Sequence, residues 1–327
     1  MKNINVPVGI SNFEKIRQDG YYYVDKTGLI KDMLKNKIPE VTLITRPRRF
    51  GKTLAMSMLA SFFDIRRDSK KLFQGLNISK EQQLCNDWMN QYPTLFLSFK
   101  DVDGTIFENA LGLLQFTIAE LCKKHTYLIE SDVVDQDDKE TFRKLKSMGS
   151  NLPELQGSII MLMNMMKAYY NKQVILLIDE YDVPIAKASS NGYYKEMLEV
   201  MKAMLSTALK DNEALKFAVV TGCLKIAKES VFTGTNNFVS DTISSERYNE
   251  YYGFTQKDVD QILQDAQIEE KASDIKEWYD GYRFGEFDVY CPWDVMNYLW
   301  DLTNNQNAKP VSYWKNTSDN AIIRSFI

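Results

Sequence analysis

Several things are scarce in this chain of 327 residues, and each scarcity removes a class of protein. There is one histidine, His125, and the four cysteines, Cys85, Cys122, Cys223 and Cys291, lie far apart with no CxxC pair. That spacing gives no basis for a zinc site. It reads instead as four reduced, half-buried thiols in a cytoplasmic protein. No run approaches the ~20 apolar residues of a membrane-spanning helix, and the opening MKNINVPVGISNF lacks the apolar stretch of a signal peptide. Forty basic residues face 44 acidic ones, a formal net charge of −4, so the positive excess of a dedicated nucleic-acid binder is missing. Internal repeats, low-complexity tracts and an Asn-Lys-x-Asp guanine reader are missing as well.

What is present is the material of a large globular core. Hydrophobic residues make up 44% of the chain, and the length suits one large domain with a smaller one. EVTLIT (40–45), TLFLSF (94–99), VILLIDEYD (174–182) and LKFAVVTG (215–222) are short apolar runs rich in β-formers. Between them, LAMSMLASFFD and most of 101–172 carry helical spacing, and the methionine-rich MLMNMMKAYY (161–170) reads as core packing. Residues 19–37 read as a short aromatic strand and then a helix capped by Asp25 or Thr27. Buried strands alternating with helices predict an α/β fold, a parallel sheet covered on both faces. From about Glu246 tyrosine, tryptophan and charge dominate. The chain therefore divides into a core, 1–245, and a small C-terminal lid of helices with a short hairpin, 246–327. The last residues show an amphipathic pattern (Ile322, Ile323, Phe326, Ile327) without a stop, which suggests a chain that continues.

The chemistry concentrates in two places. TRPRRFGKTLAMSML (45–59) follows an apolar strand and opens a helix with Gly51-Lys52-Thr53. Strand, loop, Gly-Lys-Thr, helix is the arrangement in which backbone N–H groups and a helix dipole receive phosphate. Gly51 admits close backbone approach, Lys52 reaches the β- and γ-phosphates, and the Thr53 hydroxyl ligates Mg²⁺. Phe50 and Leu54 flank the grip. More than a hundred residues later, VILLIDE delivers two carboxylates at a strand tip: Asp179 for Mg²⁺, and Glu180 as general base for the attacking water. A lone Gly-Lys-Thr recurs by chance and a lone acidic pair fits a solvated strand end, but the two in this order are far more specific. Thr221, at the tip of the next apolar strand, faces the γ-phosphate in such a sheet, or simply caps the strand.

RPRRFGKT, LLIDEYD and VVTG, preceded by GYYYVDKT and followed by YYGFT and WYDGYRFG…VYCPWDVMNYL, resemble the bacterial AAA-ATPase-like proteins, near the archaeal-type and STAND groups. The resemblance runs from Gly9 to Phe326. It implies a P-loop NTPase core with sheet order 5-1-4-3-2, ATP and Mg²⁺ as ligands, a winged-helix-like lid, and in longer members a following PD-(D/E)xK nuclease-like domain. It places Tyr22, in GYYYVDKT, beside the adenine. Arg46, at the position of the usual first glycine, becomes the family's own variation. Arg46, Arg48 and Arg49 can clamp phosphate or pair with acids, because a guanidinium serves either use; the reading is one near phosphate and two structural. Arg283 is a candidate lid sensor and Arg247 a candidate finger across a homo-oligomer, each with a plain surface reading beside it.

Four functions follow. The first is an ATPase whose Mg-ATP state controls the lid and an output domain. The second is a nucleotide-binding scaffold with little turnover, which Arg46 favours. The third is DNA binding through the lid, where Lys271, Lys276 and Arg283 are offset by Glu269, Glu270, Asp274, Glu277 and Asp280. The fourth, a small-molecule kinase, has no second-substrate pattern behind it.

Overall fold

The four apolar runs become neighbouring strands of one sheet. In the computed structural model, which describes residues 4–35, 38–224, 232 and 238–314, these are β1 (Val41–Thr45), β2 (Thr94–Ser98), β3 (Val174–Asp179) and β4 (Leu215–Gly222). A fifth strand, β5 (Phe238–Asp241), joins the edge beside β1. All pairings are parallel, and the order β5-β1-β4-β3-β2 is the 5-1-4-3-2 arrangement of an AAA-like P-loop fold.

Both faces of the sheet are covered, which is why the strands read as continuous apolar runs. Side chains alternate between the faces with the period of two that a strand imposes. Ile175, Leu177, Phe217 and Val219 pack towards α3 (Lys52–Phe63), with α1 (Phe13–Gln18) and α2 (Gly28–Lys35) in the same layer. Leu176, Ile178, Ala218 and Val220 pack on the other side, under the helices Phe107–Lys124, Ser158–Tyr170 and Tyr194–Leu209. Met161, Met163, Met165 and Met166 are buried there. His125 is also buried, beside Arg66 and the Tyr127 hydroxyl, and burial together with the Arg66 charge pushes its imidazole down to about 3, so it stays neutral.

The C-terminal elements form a second, smaller assembly. β6 (Phe254–Thr255), β7 (Tyr282–Phe284) and β8 (Phe287–Tyr290) make an antiparallel sheet in the order β6-β8-β7, accompanied by the helices Gln256–Ala266, Ala272–Tyr279 and Pro292–Asn304. The hairpin read in YDGYRFGEFDVYCPWD is β7–β8. Val6, from the other end of the chain, packs into this assembly's core with Val259, Ile262 and Leu299.

Two expectations change. The aromatic stretch ahead of α2 belongs to neither sheet: Tyr22 N–H donates to Asn5 O (2.8 Å), so the stretch lies along the N-terminal segment and not on a sheet edge. Thr27 N–H and Oγ1 both bond the Asp25 carboxylate, which also accepts Asn77 N–H, and Thr27 Oγ1 accepts Ile78 N–H, so the two expected caps tie the start of α2 to residues 77–78. The amphipathic tail at Ile322–Ile327 lies outside the described residues. Among the described residues no helix is long and apolar enough to cross a membrane.

Leu177, central in β3 and fully buried, is the natural probe of this core. Leu177→Ala is expected to lower the unfolding free energy by about 2 to 5 kcal/mol in urea titration. Val133→Ala, at an exposed position, should stay within about 0.5 kcal/mol of the parent.

Candidate functional site

Parallel strands carry all their C-terminal ends to one edge of the sheet, and the site is built there. β1 runs into a loop, residues 46–51, that ends at the first residue of α3. The loop turns through two left-handed residues, Arg49 (φ 73°) and Gly51 (φ 82°). Glycine takes that conformation freely, whereas at Arg49 it costs roughly 1 to 2 kcal/mol. A contact offsets the cost: the Arg49 guanidinium lies 3.9 Å from the centre of the Trp293 ring. Gly51 caps α3 without a side-chain hydrogen bond, so the helix opens towards the cleft with its positive dipole end.

Lys52, almost fully buried, donates from Nζ to the carbonyls of Arg46 and Pro47 (2.9 Å each) and lies 3.5 Å from Cys223 Sγ. Thr53 Oγ1 donates to Asp179 Oδ2 (2.8 Å), and Thr221 Oγ1 donates to Asp179 Oδ1 (2.5 Å). Asp179 is thus a fully buried carboxylate held by hydroxyls from α3 and β4. Glu180 follows in a left-handed conformation (φ 55°), half-buried on the cleft wall. Burial first, and then the Asp179 charge, push its carboxyl above the usual range, against the pull of Lys52 and Arg48. Asp182, also buried and also pushed up by burial, accepts the backbone N–H groups of Cys223 (2.8 Å) and Leu224 (2.9 Å) and so fixes the chain leaving β4.

These groups border a cleft of about 550 Å³ between the main sheet, the N-terminal segment and the C-terminal assembly. Of the residues read from the sequence, Tyr22, Arg48, Arg49, Phe50, Gly51, Lys52, Thr53, Leu54 and Glu180 line it. Asp179 and Thr221 lie behind that lining, joined to it through Thr53. Arg46 does not line it. Its side chain is fully buried on the other side of the loop, against Asp241, Asn249, Tyr252 and Phe284. Arg283 is outside the cleft too, in a surface hollow with Lys276 and Asp288.

The opposite wall was not read from the sequence. It holds Val8, Trp293, Met296 and Asn297, the last three on the helix Pro292–Asn304. Trp293 stands in the quoted CPWD stretch, the one signal that could have brought it forward. Among the described residues no three acidic, histidine or cysteine side chains cluster as a self-sufficient metal site.

An AAA-like P-loop fold with its Gly-Lys-Thr loop and acid-tipped strand at one cleft belongs to a nucleotide-binding class. A family model described as "Predicted AAA-ATPase" matches residues 7–232, and the chain belongs to this AAA-ATPase-like family. That is the family its motifs resemble, and it marks the chain as an ATP-binding type of module. A curated relative from Azotobacter chroococcum mcd 1, the "Uncharacterized protein in vnfD 5'region", is 29% identical over 298 residues. The match takes in 90% of this chain and 52% of the relative, so the chain spans about half of that protein's length.

The raised carboxyl of Glu180 makes a prediction with a definite sign. The native protein holds a proton there that the unfolded chain releases, so this contribution to stability is full below the ordinary glutamate pKa of about 4.3 and is lost as pH rises through the folded value. Glu180→Gln removes the titration. Its thermal midpoint should match the parent near pH 4 and exceed it at pH 7.5; equal midpoints across that range would refute the assignment.

Proposed function

We propose that the cleft binds Mg-ATP and hydrolyses it. One observation carries the reading: Lys52 and Thr53 at the start of α3 meet the Asp179–Glu180 tip of β3, with Thr53 Oγ1 2.8 Å from Asp179 Oδ2. In this reading the N-terminal end of α3 and Lys52 receive the β- and γ-phosphates, and Arg48, on the cleft wall and within electrostatic reach of Glu180, is the arginine near phosphate. Tyr22 and the Trp293 wall face the base.

The residues fit magnesium. Thr53 and Asp179 offer hard oxygen donors, and too few of them to hold the ion alone, which suits a metal that arrives with its phosphates. Bound there, the ion would neutralise phosphate charge. Thr53 and Asp179 would orient it, and Thr221 would fix Asp179.

Hydrolysis then needs one proton acceptor. Water oxygen bonds to the γ-phosphorus, the bond to the bridging oxygen breaks, ADP leaves, and Glu180 takes the water proton. A carboxyl raised towards neutrality suits that task. Residues 1–245 serve as the ATPase core and 246–327 as the lid whose seating follows nucleotide state. A nuclease-like output domain or a homo-oligomeric neighbour would act through that lid.

Calorimetry and phosphate release test the scheme together. Lys52→Ala should abolish heat on Mg-ATP injection. Glu180→Gln should keep binding and lose roughly 10²- to 10⁴-fold in turnover, the range for a general base. Tight Mg-ATP binding by the parent without phosphate release would leave a regulatory scaffold in place of an ATPase.

A further inference from the structure

In the spacing Arg46-x-x-x-x-Gly51-Lys52-Thr53, an arginine occupies the first-glycine position of a phosphate-gripping loop. Its two halves do different things. The backbone half belongs to the loop: Arg46 N–H donates to Gly222 O at the tip of β4 (3.2 Å), and Arg46 C=O accepts Lys52 Nζ (2.9 Å). The side-chain half belongs to the structure beyond the loop. Nη1 donates to Thr45 O (2.9 Å) and Asp241 O (3.1 Å). Nη2 donates to the Asp241 carboxylate, to Asn249 Oδ1 (2.7 Å) and to Arg247 O (3.3 Å). The guanidinium carbon lies 5.3 Å from the centre of the Tyr252 ring and 5.6 Å from that of Phe284.

None of Asp241, Asn249, Tyr252 and Phe284 lines the cleft. Asp241 ends β5; the other three belong to the C-terminal assembly and the segment that leads into it. The same loop is seated there twice more. Phe50, buried, packs on Tyr282 and Phe284, with ring centres 4.8 and 5.1 Å apart, and Arg49 covers Trp293. Gly253 leaves room for this: a Cβ on it would come within 3.1 Å of the Phe50 ring.

We infer that Arg46 is a positioning residue through which the seating of the C-terminal assembly sets nucleotide affinity. The inference rests on the proposed Mg-ATP reading of the cleft. A fully buried guanidinium cannot leave its partners without a large desolvation penalty. When residues 249–252 or β7 shift against the sheet, Arg46 follows, and the carbonyl that holds Lys52 moves with it. The coupling is reciprocal, so nucleotide that reshapes the loop also reseats the assembly.

Calorimetry with Mg-ATP on the full 327-residue chain tests this in two backgrounds. Asn249→Ala, which touches Arg46 and not the cleft, should weaken Mg-ATP binding by roughly 5- to 20-fold. In the background Arg46→Met with Asp241→Asn, which removes both charges together, the same change should alter affinity by less than about twofold, because the pathway is already cut. If that background does not fold, Arg46→Lys, which keeps the charge and loses the fork, takes its place. Equal losses in both backgrounds would overturn the inference, as would lowered melting temperatures with Mg-ATP affinity unchanged. A parent protein that gives no heat with Mg-ATP, or Lys52→Ala binding as well as the parent, removes the Mg-ATP reading itself. Binding that Lys52→Ala abolishes but Asn249→Ala leaves intact removes only the coupling.

Discussion

Asp179 is a carboxylate wholly out of water, and a group like that is tolerable only when its oxygens are matched. Here each oxygen accepts a hydroxyl from a different element, Thr53 of α3 and Thr221 of β4. One side chain therefore ties the start of a helix to the tips of two strands. The positions of Lys52 and Glu180 follow from it. Each is the chain neighbour of a residue in that knot, and both reach the cleft wall, Lys52 held there by the carbonyls of Arg46 and Pro47. The parallel register supplies the rest, because β1, β3 and β4 all end at this edge.

Around that fixed point the C-terminal assembly is held by polar and apolar contacts together. Lys26 pairs with Asp258 (2.5 Å), the Tyr22 hydroxyl donates to Asp265 (2.8 Å), and the Tyr251 hydroxyl donates to Asp32. The seam is also apolar: Tyr252, Phe284, Val289 and Cys291 pack in one cluster with residues of α3 and the main sheet, and Val6 packs in the core of the C-terminal assembly. At Lys26, burial lowers the ammonium against the pull of Asp258. Arg46 is the exception within the seam. It is charged, fully buried and bonded both to Asp241 of β5 and to Asn249 in the segment leading into the assembly.

Much of this was legible in the residues alone, for definable reasons. β1 to β4 announce themselves because a strand covered on both faces must be apolar throughout. β5 does not: Phe-Val-Ser-Asp is short, half-buried and at the sheet edge, so its composition resembles a loop. The alternating aromatics before α2 mimic a strand because they face two different neighbours, the core through Tyr23 and the C-terminal assembly through Tyr22. The Gly-Lys-Thr and Asp-Glu pair are visible through order and spacing. Trp293 and Asn297 are not, because only tertiary folding brings their helix to the cleft. Arg46 could not be assigned from sequence, since a guanidinium suits phosphate and carboxylate alike. What decides it is Asp241 and Asn249, roughly 200 positions away in the chain.

Glu180 shows how the site's chemistry and the fold's stability pull against each other. A left-handed glutamate is strained by roughly 1 to 2 kcal/mol, and nothing about its own side chain requires that backbone. The strain is imposed from both flanks. On one side β3 must end at Asp179, whose carbonyl accepts Phe99 N–H (3.0 Å). On the other, Tyr181 N–H must reach Thr221 O (3.1 Å) while Asp182 turns back to hold Cys223 and Leu224. The chain has one residue in which to make the turn. That residue is then left on the cleft wall beside a like charge, with its carboxyl raised. A glycine there would relax the backbone and remove the carboxylate that stands beside Asp179 on the cleft wall. The fold keeps the strained residue because the anchors on both sides are strong enough to hold it.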